Sequence, residues 1–256
     1  PLPPPPPTTP QGLGRRQRQM CIRDRHRAVR PSDREGKRTT SSSPPQRAPR
    51  VVLRDTMMDR WRQIARRELE DRYEVRLAGE GGQGMILAGI ILAEAAAVYD
   101  GLNAVQTQSY GPEARGGASR SEVVIAHGEI DYPKVLNPDL VLSMSQEACD
   151  RFCDRVKEDG LVVVDSTTVI RAPEHRGIAV PISQIAEEAT GRTITASMAA
   201  LGILVGLTGV VSRKALEASV AHRVPKGTEE LNLRAVAAGF AEAERLREEG
   251  ATRSIA

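Results

Sequence analysis

The sequence is poor in cysteine and has no long apolar run. Three cysteines occur in 256 residues, at positions 21, 149 and 153. Cys149 and Cys153 are spaced i, i+4 on a predicted helix, and two thiols there cannot supply the four ligands of a closed zinc site or an iron–sulfur cluster. No apolar stretch reaches the roughly 18 residues that cross a membrane, and residues 1–30 lack the apolar segment of a signal peptide. We therefore expect a cytoplasmic protein that neither spans a membrane nor carries a metal centre of its own.

The positive charge of the chain is concentrated at its beginning. The formal net charge is +3, but residues 1–55 hold 13 Lys and Arg against 4 Asp and Glu. That segment therefore carries +9, and the remainder of the chain carries −6. A nucleic-acid-binding domain needs a basic face on its folded part. The charge distribution therefore gives no support to nucleic-acid binding.

Residues 1–56 do not have the composition of a folded domain. They contain the proline run Pro3–Pro7, many arginines and a Thr/Ser/Pro stretch at positions 39–45. With so few apolar side chains, the segment is predicted to be disordered. The string RRQRQMCIRDR at positions 15–25 also resembles translated sequencing-adapter text. We expect the native chain to start at Met57 or Met58, and residues 57–256 to form a single domain.

Helical and strand patterns alternate after that segment. A charged helix is predicted over Met57–Asp71, followed by a strand over Tyr73–Ala78, an Ala-rich helix over Met85–Val98 and a second strand over Leu102–Gln106. This order predicts a βαβ unit with parallel strands. Further strands are predicted over Ser121–His127, Asp139–Met144, Leu161–Val164 and Ile178–Pro181. Further helices are predicted over Ser145–Glu158, Ile182–Thr190, Thr195–Leu207, Ser212–His222 and Glu229–Glu249.

Strands that alternate with helices predict the fold class. The expected architecture is an open, mostly parallel, Rossmann-like α/β sheet with helices on both faces. Ligands of such sheets bind beyond the carboxyl ends of the strands. The loops that follow the predicted strands are therefore the first places to look for a site.

The first candidate site is a glycine-rich turn between the first strand and the Ala-rich helix. Gly79, Gly81 and Gly84 form a Gly-x-Gly-x-x-Gly pattern, and Gly82 and Gln83 complete the turn. Glycines allow a tight turn and close approach of the backbone, and the following helix offers free N–H groups to an anion.

Two features of this region argue against a nicotinamide or flavin dinucleotide. Glu80 places a negative charge inside the turn, and the second strand ends as Ala104–Gln108 without the carboxylate that would bind a ribose hydroxyl. Three interpretations stay open. The turn binds a dinucleotide, has no ligand, or contacts a cofactor or substrate that a partner subunit holds.

The second candidate site is the polar, glycine-rich loop over Gln108–Ser119. It begins at the carboxyl end of a predicted strand and combines a guanidinium, a carboxylate and an aromatic ring beside small residues. An arginine next to glycines can present its planar fork to a phosphate or carboxylate. The alternative is a surface loop whose arginine pairs with its own glutamate. The candidate residues of this loop are Ser109, Tyr110, Glu113, Arg115, Gly116 and Gly117.

Together these two segments carry a family resemblance. GEGGQG after a strand, followed about 25 residues later by QSYGPEARGGASRSEV, is similar to the gamma subunit of the 2-oxoacid:ferredoxin oxidoreductases. Further segments resemble the 2-oxoglutarate type in particular, and the match extends over Tyr73–Phe240. Those segments are IDYPK at 130–134, NPD at 137–139, SQEA at 145–148 and RVPKGTEELN at 223–232.

The resemblance implies a subunit of a complex rather than a complete enzyme. Members of the family oxidatively decarboxylate a 2-oxoacid, transfer the acyl group to coenzyme A and pass two electrons through iron–sulfur clusters to ferredoxin. Thiamine diphosphate with Mg²⁺ lies between the alpha and beta subunits, and the clusters lie in beta and a ferredoxin-like delta subunit. The resemblance therefore implies that this chain binds none of these cofactors alone and lends the loops at 79–84 and 108–119 to the rim of the coenzyme A or substrate site.

The sequence of this chain agrees with that division of labour. It has no Gly-Asp-Gly motif followed by Asn for a magnesium diphosphate, and no Ser/His/Asp constellation. His127, His175 and His222 lie in separate segments, and we interpret them as structural or surface residues. Two other classes stay possible, a free-standing nucleotide-binding oxidoreductase and a purely structural docking subunit. Pyruvate or a branched 2-oxoacid is the alternative substrate.

Overall fold

The computed structural model describes residues 72–109, 118–173 and 177–253. The predicted disordered segment 1–56 and the predicted helix Met57–Asp71 lie outside the described residues. The domain boundary between them stays a prediction.

A single twisted sheet forms the centre of the described structure. In chain order its strands are β1 (Tyr73–Glu80), β2 (Asn103–Ser109), β3 (Ala118–Ala126), β4 (Leu140–Ser143), β5 (Leu161–Asp165) and β6 (Gly177–Val180). They lie side by side in the order β2-β3-β1-β4-β5-β6. The pairs β1–β4, β4–β5 and β5–β6 are parallel, which confirms the predicted mostly parallel sheet.

Strand β3 separates the two parallel strands of the predicted βαβ unit. It pairs antiparallel with β1 on one side and with β2 on the other. Strands β1 and β2 therefore run in the same direction, as predicted, but they are not neighbours. The antiparallel β3 lies between them.

The helices agree with the predicted pattern in all but one case. They are α1 (Met85–Glu94, continued by a π-helical turn over Ala95–Tyr99), α2 (Gln146–Phe152), α3 (Ile182–Thr190), a 3₁₀ turn (Thr193–Thr195), α4 (Ala196–Thr208), α5 (Arg213–Arg223) and α6 (Glu229–Arg253). The prediction of one helix over Ser145–Glu158 was wrong in length. After Phe152 the chain leaves the helix, and Lys157 pairs with Asp139 at 2.7 Å and donates its backbone N–H to Pro138.

The two faces of the sheet are covered unequally. The large apolar core lies on one face, which we call the first face, beneath α1 and α3–α6. The opposite, second face is covered by the short helix α2, whose Cys149 packs with Val162 and Val164 of β5. Helices α4 and α6 pack so closely that a Cβ on Gly202 would stand 2.3 Å from the carbonyl oxygen of Val236. Within the described part of the chain, no helix is long and apolar enough to cross a membrane.

Candidate functional site

The candidate site lies where the parallel strands end. Strands β1, β4, β5 and β6 share one direction, so the segments after them emerge at one edge of the sheet. The glycine-rich turn follows β1, Met144 follows β4, and Pro181 leads from β6 into α3. Helices α1 and α3 begin at this edge, so their N-terminal N–H groups lie there too.

Two glycines of the turn have a backbone that other residues avoid. Gly82 has a φ of 98° and Gly84 has a φ of 77°, both in the left-handed region. Gly84 immediately precedes α1, and a Cβ there would stand 2.8 Å from the hydroxyl oxygen of Ser197 at the start of α4. Glycine is therefore favoured at positions 82 and 84 by the backbone, and at 84 also by the close approach of two helix starts.

Gln83 ties the turn to the end of the neighbouring strand. Its Nε2 donates to the carbonyl oxygen of Met144 at 2.9 Å, and its Oε1 accepts from the backbone N–H of Glu80 at 2.8 Å. The Met144 carbonyl also accepts from the hydroxyl of Thr168 at 2.8 Å, which joins the segment after β5. Both polar atoms of the Gln83 amide are thus engaged within the chain. The residue positions the turn in addition to bordering the site.

A cavity of about 300 Å³ opens at this edge. Its lining combines backbone and polar groups with three apolar side chains. The lining residues are Gly82, Gln83, Met144, Ser183, Thr193, Ile194 and Ala196.

The buried Asp165 holds one wall of this cavity in place. It lies at the end of β5, is fully buried, and its carboxylate accepts from the backbone N–H of Thr167 and from both the N–H and the hydroxyl of Ser183. A buried carboxylate without such donors would be costly. Asp165 therefore links the strand end to the start of α3.

The second predicted loop begins and ends beside the first one. In the β1–β3 register Glu80 is opposite Ala118 and Gly79 is opposite Ser119, whose hydroxyl donates to the Gly79 carbonyl at 3.2 Å. This register confirms that both loops emerge at the same edge. Ser109 ends β2 and is exposed. The predicted site residues Tyr110, Glu113, Arg115, Gly116 and Gly117 lie outside the described residues, and their role stays a prediction.

Sequence reasoning missed part of the cavity wall. Ser183, Thr193 and Ile194 line the cavity, although they lie about 100 residues from the glycine-rich turn. Ser183 could have been predicted as a site residue, because it follows the end of β6 and ligands of open α/β sheets bind beyond strand ends. No local pattern marks Thr193 and Ile194, which reach the site only because α4 packs beside α1.

The two described cysteines do not form part of this site. Cys149 and Cys153 are buried on the second face. A hydrogen bond from Cys153 lowers the pKa of the Cys149 thiol, and the same bond together with burial raises the pKa of Cys153. Two thiols do not fit an iron–sulfur cluster. In residues 72–109, 118–173 and 177–253 no three His, Cys, Asp or Glu side chains are grouped to hold a metal ion.

Of the three histidines in the predicted domain, His127 and His222 are described, and neither lines the cavity. His127 is an exposed residue immediately after β3. His222 is exposed near the end of α5, and its Nδ1 lies 2.5 Å from the buried carboxylate of Glu94, which also pairs with Arg223. His175 lies outside the described residues.

Known proteins resemble this chain in sequence over most of the described part. The family described as pyruvate ferredoxin/flavodoxin oxidoreductase matches residues 74–242. The 2-oxoglutarate synthase subunit KorC of Methanothermobacter thermautotrophicus is 52% identical over 179 residues, which cover 67% of this chain and 95% of that protein. KorC of Methanocaldococcus jannaschii is 48% identical over 71% of this chain and 99% of that protein.

Solved structures have the same fold. The gamma subunit of a keto/oxoacid ferredoxin oxidoreductase from Geobacter sulfurreducens superposes with a TM-score of 0.63 at 48% identity, covering 69% of this chain and 98% of that one. A 2-oxoglutarate:ferredoxin oxidoreductase from Magnetococcus marinus, solved with 2-oxoglutarate, coenzyme A and succinyl-CoA, gives a TM-score of 0.62 at 24% identity. This chain corresponds to 32% of that longer one. The family match over residues 74–242 and the 52% identity to KorC show that the chain belongs to the pyruvate ferredoxin/flavodoxin oxidoreductase family.

Proposed function

We propose that the chain is the gamma subunit of a 2-oxoglutarate:ferredoxin oxidoreductase. The observation that carries the proposal is the order of the identities. They are 52% and 48% to KorC proteins, 37% to a ketoisovalerate oxidoreductase subunit VorA and 31% to a pyruvate synthase subunit PorC. The complex would convert 2-oxoglutarate and coenzyme A into succinyl-CoA and CO₂, and two electrons would pass to ferredoxin.

The chemistry of that reaction belongs to cofactors on other subunits. Thiamine diphosphate with Mg²⁺ supplies carbanion stabilisation, and iron–sulfur clusters carry the electrons. The described residues of this chain include no donor set for a cluster. We therefore assign these groups to alpha and beta catalytic partners and a ferredoxin-like delta subunit. The chain should have no activity alone, and the expected cytoplasmic location stays a prediction.

The contribution of this chain would be to border the coenzyme A or substrate site. The cavity at the strand ends is lined by Gly82, Ser183 and Thr193, whose small side chains let a ligand approach the backbone. Two helix starts at this edge favour an anionic group there. The predicted contact residue in the second loop is Arg115, which would hold a phosphate of coenzyme A or a carboxylate of the oxoacid.

Purification of the intact complex tests the proposal. Residues 57–256 are tagged in the native host, and the eluate is assayed for viologen reduction that depends on coenzyme A, with 2-oxoglutarate and with pyruvate. The expected result is co-purified partners and activity with 2-oxoglutarate. Activity with pyruvate alone would keep the family and contradict the substrate. A chain without partners that binds NAD or FAD tightly would contradict the proposal altogether.

A second candidate, a docking subunit without ligand contacts, is favoured by one observation. Ile170 after β5 and Ile194 at the cavity are 93% and 76% exposed, and both lie at the carboxyl edge of the sheet. Exposed apolar side chains that together form a patch mark protein interfaces. Substitutions in the cavity that change assembly but leave the KM values unchanged would favour docking alone.

A further inference from the structure

A cluster of ionic side chains lies on the second face of the sheet, beside α2. Arg76 of β1 and Glu122 of β3 face each other across the register, and both are nearly buried, with 5% and 8% of their side chains exposed. Arg120 of β3 is next on the same face and is 35% exposed. Phe152 of α2 lies over the two guanidinium groups, with its ring centre 5.8 Å from Arg76 Cζ and 5.4 Å from Arg120 Cζ.

This cluster has one more positive than negative charge. Glu122 Oε1 lies 2.8 Å from Arg76 Nη2 and 3.7 Å from Arg120 Nε, so one carboxylate serves two guanidinium groups. The neighbouring Glu74 does not balance the excess. Its carboxylate is engaged by Arg72 and by backbone N–H groups of the segment after β3.

The two arginines also have unused donors. Arg76 binds Glu122 through Nε and Nη2, and its Nη2 also reaches the Val135 carbonyl, but its Nη1 has no acceptor in the described structure. Arg120 Nε is likewise buried without an acceptor there. Stacking on Phe152 does not satisfy these groups, since guanidinium N–H bonds point outward in the plane of the group. Buried donors that lack a partner are rare in folded proteins and costly.

Access to the cluster is from the edge of the sheet. Arg120 is the exposed member of the cluster, and its register partner on the edge strand β2 is the exposed Ser109. An incoming group would therefore meet Arg120 first and reach Arg76 Nη1 after a small movement of the Arg120 side chain.

We propose that Arg76 and Arg120 form a receptor for an oxyanion, either a carboxylate or a phosphate. Such a group can accept two N–H hydrogen bonds at once, and its negative charge balances the extra positive charge of the cluster. It would therefore satisfy both the unpaired donors and the unbalanced charge. Phe152 holds the two guanidinium groups so that their N–H bonds stay available. The oxyanion comes either from a small anion in solution or from an acidic side chain of the catalytic partner, and the second source rests on the proposed function.

Inorganic phosphate tests the first source on the full chain. Phosphate is titrated against chloride at matched ionic strength, and its binding is followed by chemical shifts and by the melting temperature. Arg120→Gln should raise the Kd for phosphate about tenfold or more, the usual consequence of losing a charged hydrogen-bond partner. Arg155→Gln is the matched control, since Arg155 is exposed and lies outside the cluster. Its Kd should equal that of the wild type.

Association of the purified subunits tests the second source. If a partner carboxylate fills the receptor, Arg120→Gln weakens association about tenfold or more. Phosphate at matched ionic strength then weakens association of the wild type but not of Arg120→Gln. That difference shows whether Arg120→Gln weakens association by removing an anion site or by disturbing the fold.

The two experiments together decide the proposal. Saturable phosphate binding that depends on Arg120 supports the oxyanion receptor whether or not the chain joins an oxidoreductase. Failure of the proposed function can therefore be told apart from failure of the receptor. The proposal is overturned if Arg120→Gln matches Arg155→Gln in phosphate binding, in association and in the effect of phosphate on association. The spare donors would then be satisfied by a group of this chain.

Discussion

The side-chain amide of Gln83 and the backbone carbonyl of Met144 are joined by a hydrogen bond of 2.9 Å between the ends of β1 and β4. The other atom of the same amide accepts from the Glu80 backbone. One side chain thus sets both the shape of the glycine-rich turn and its distance from the adjacent strand.

Replacement of Gln83 by Ala should destabilise the turn. The loss of two hydrogen bonds should reduce the free energy of unfolding by about 1–2 kcal/mol, measured by urea denaturation. Gln184→Ala is the control, because Gln184 is exposed on α3 and binds only Glu188 among the described contacts. Equal losses in the two variants would show that the Gln83 bonds do not stabilise the turn.

Replacement of Gly84 by Ala tests the close approach of α1 and α4. The left-handed backbone should cost about 1–2 kcal/mol, and the contact with the Ser197 hydroxyl about 1–3 kcal/mol more. Gly191→Ala measures the first cost alone, since Gly191 has a φ of 73° and no atom near a new Cβ. Adding Ser197→Ala to Gly84→Ala should recover part of the loss. No recovery would mean that the clash is relieved by movement of the backbone.

Replacement of Arg115 by Ala tests the predicted contact of the second loop. A lost charged hydrogen bond of about 1.5–3 kcal/mol should raise the KM for coenzyme A or for the oxoacid roughly 10–100-fold in the intact complex. Arg245→Ala is a suitable control, because Arg245 lies on α6 and pairs with Glu242 and Glu249. Unchanged KM values would contradict the role, and a complex that fails to assemble would identify the loop as an interface.

Replacement of Ile170 by Ser tests whether the carboxyl edge of the sheet is a subunit interface. The backbone N–H groups of Ile170 and Arg171 both donate to Gln146 Oε1 at 2.9 Å, so the backbone that carries the exposed side chain is held in place. We expect weaker association with the catalytic partners, measured by the Kd of assembly, and an unchanged melting temperature. Val98→Ser is the control, since Val98 is also exposed but lies beyond the far end of α1. Equal association of the two variants would place the interface elsewhere.

Local features of the chain were predictable where nearby residues decide them. Helix α3 has the predicted bounds because Gly191 adopts the left-handed conformation that ends a helix. The start of α5 was predicted from Ser212, whose hydroxyl accepts from the backbone N–H of Ala215 at 3.1 Å. The turn after β1 was likewise readable, since Gly82 and Gly84 adopt the left-handed backbone that favours glycine.

Contacts between distant residues decided the rest. The insertion of β3 between β1 and β2 depends on pairing between β1 and β3, whose partners, from Glu80–Ala118 to Tyr73–Ile125, are distant in sequence, and no local pattern encodes it. Helix α2 ends early because Lys157 is bound near Asp139 instead of continuing the helix. The cavity joins Gly82 to Thr193, and the spare donors of Arg76 and Arg120 meet only when β1, β3 and α2 come together. The sequence by itself determined the family and the strand-end turn, because their signals lie in short segments. The tertiary structure decided the strand order, the cavity wall and the oxyanion receptor, because each requires side chains that only packing brings within reach.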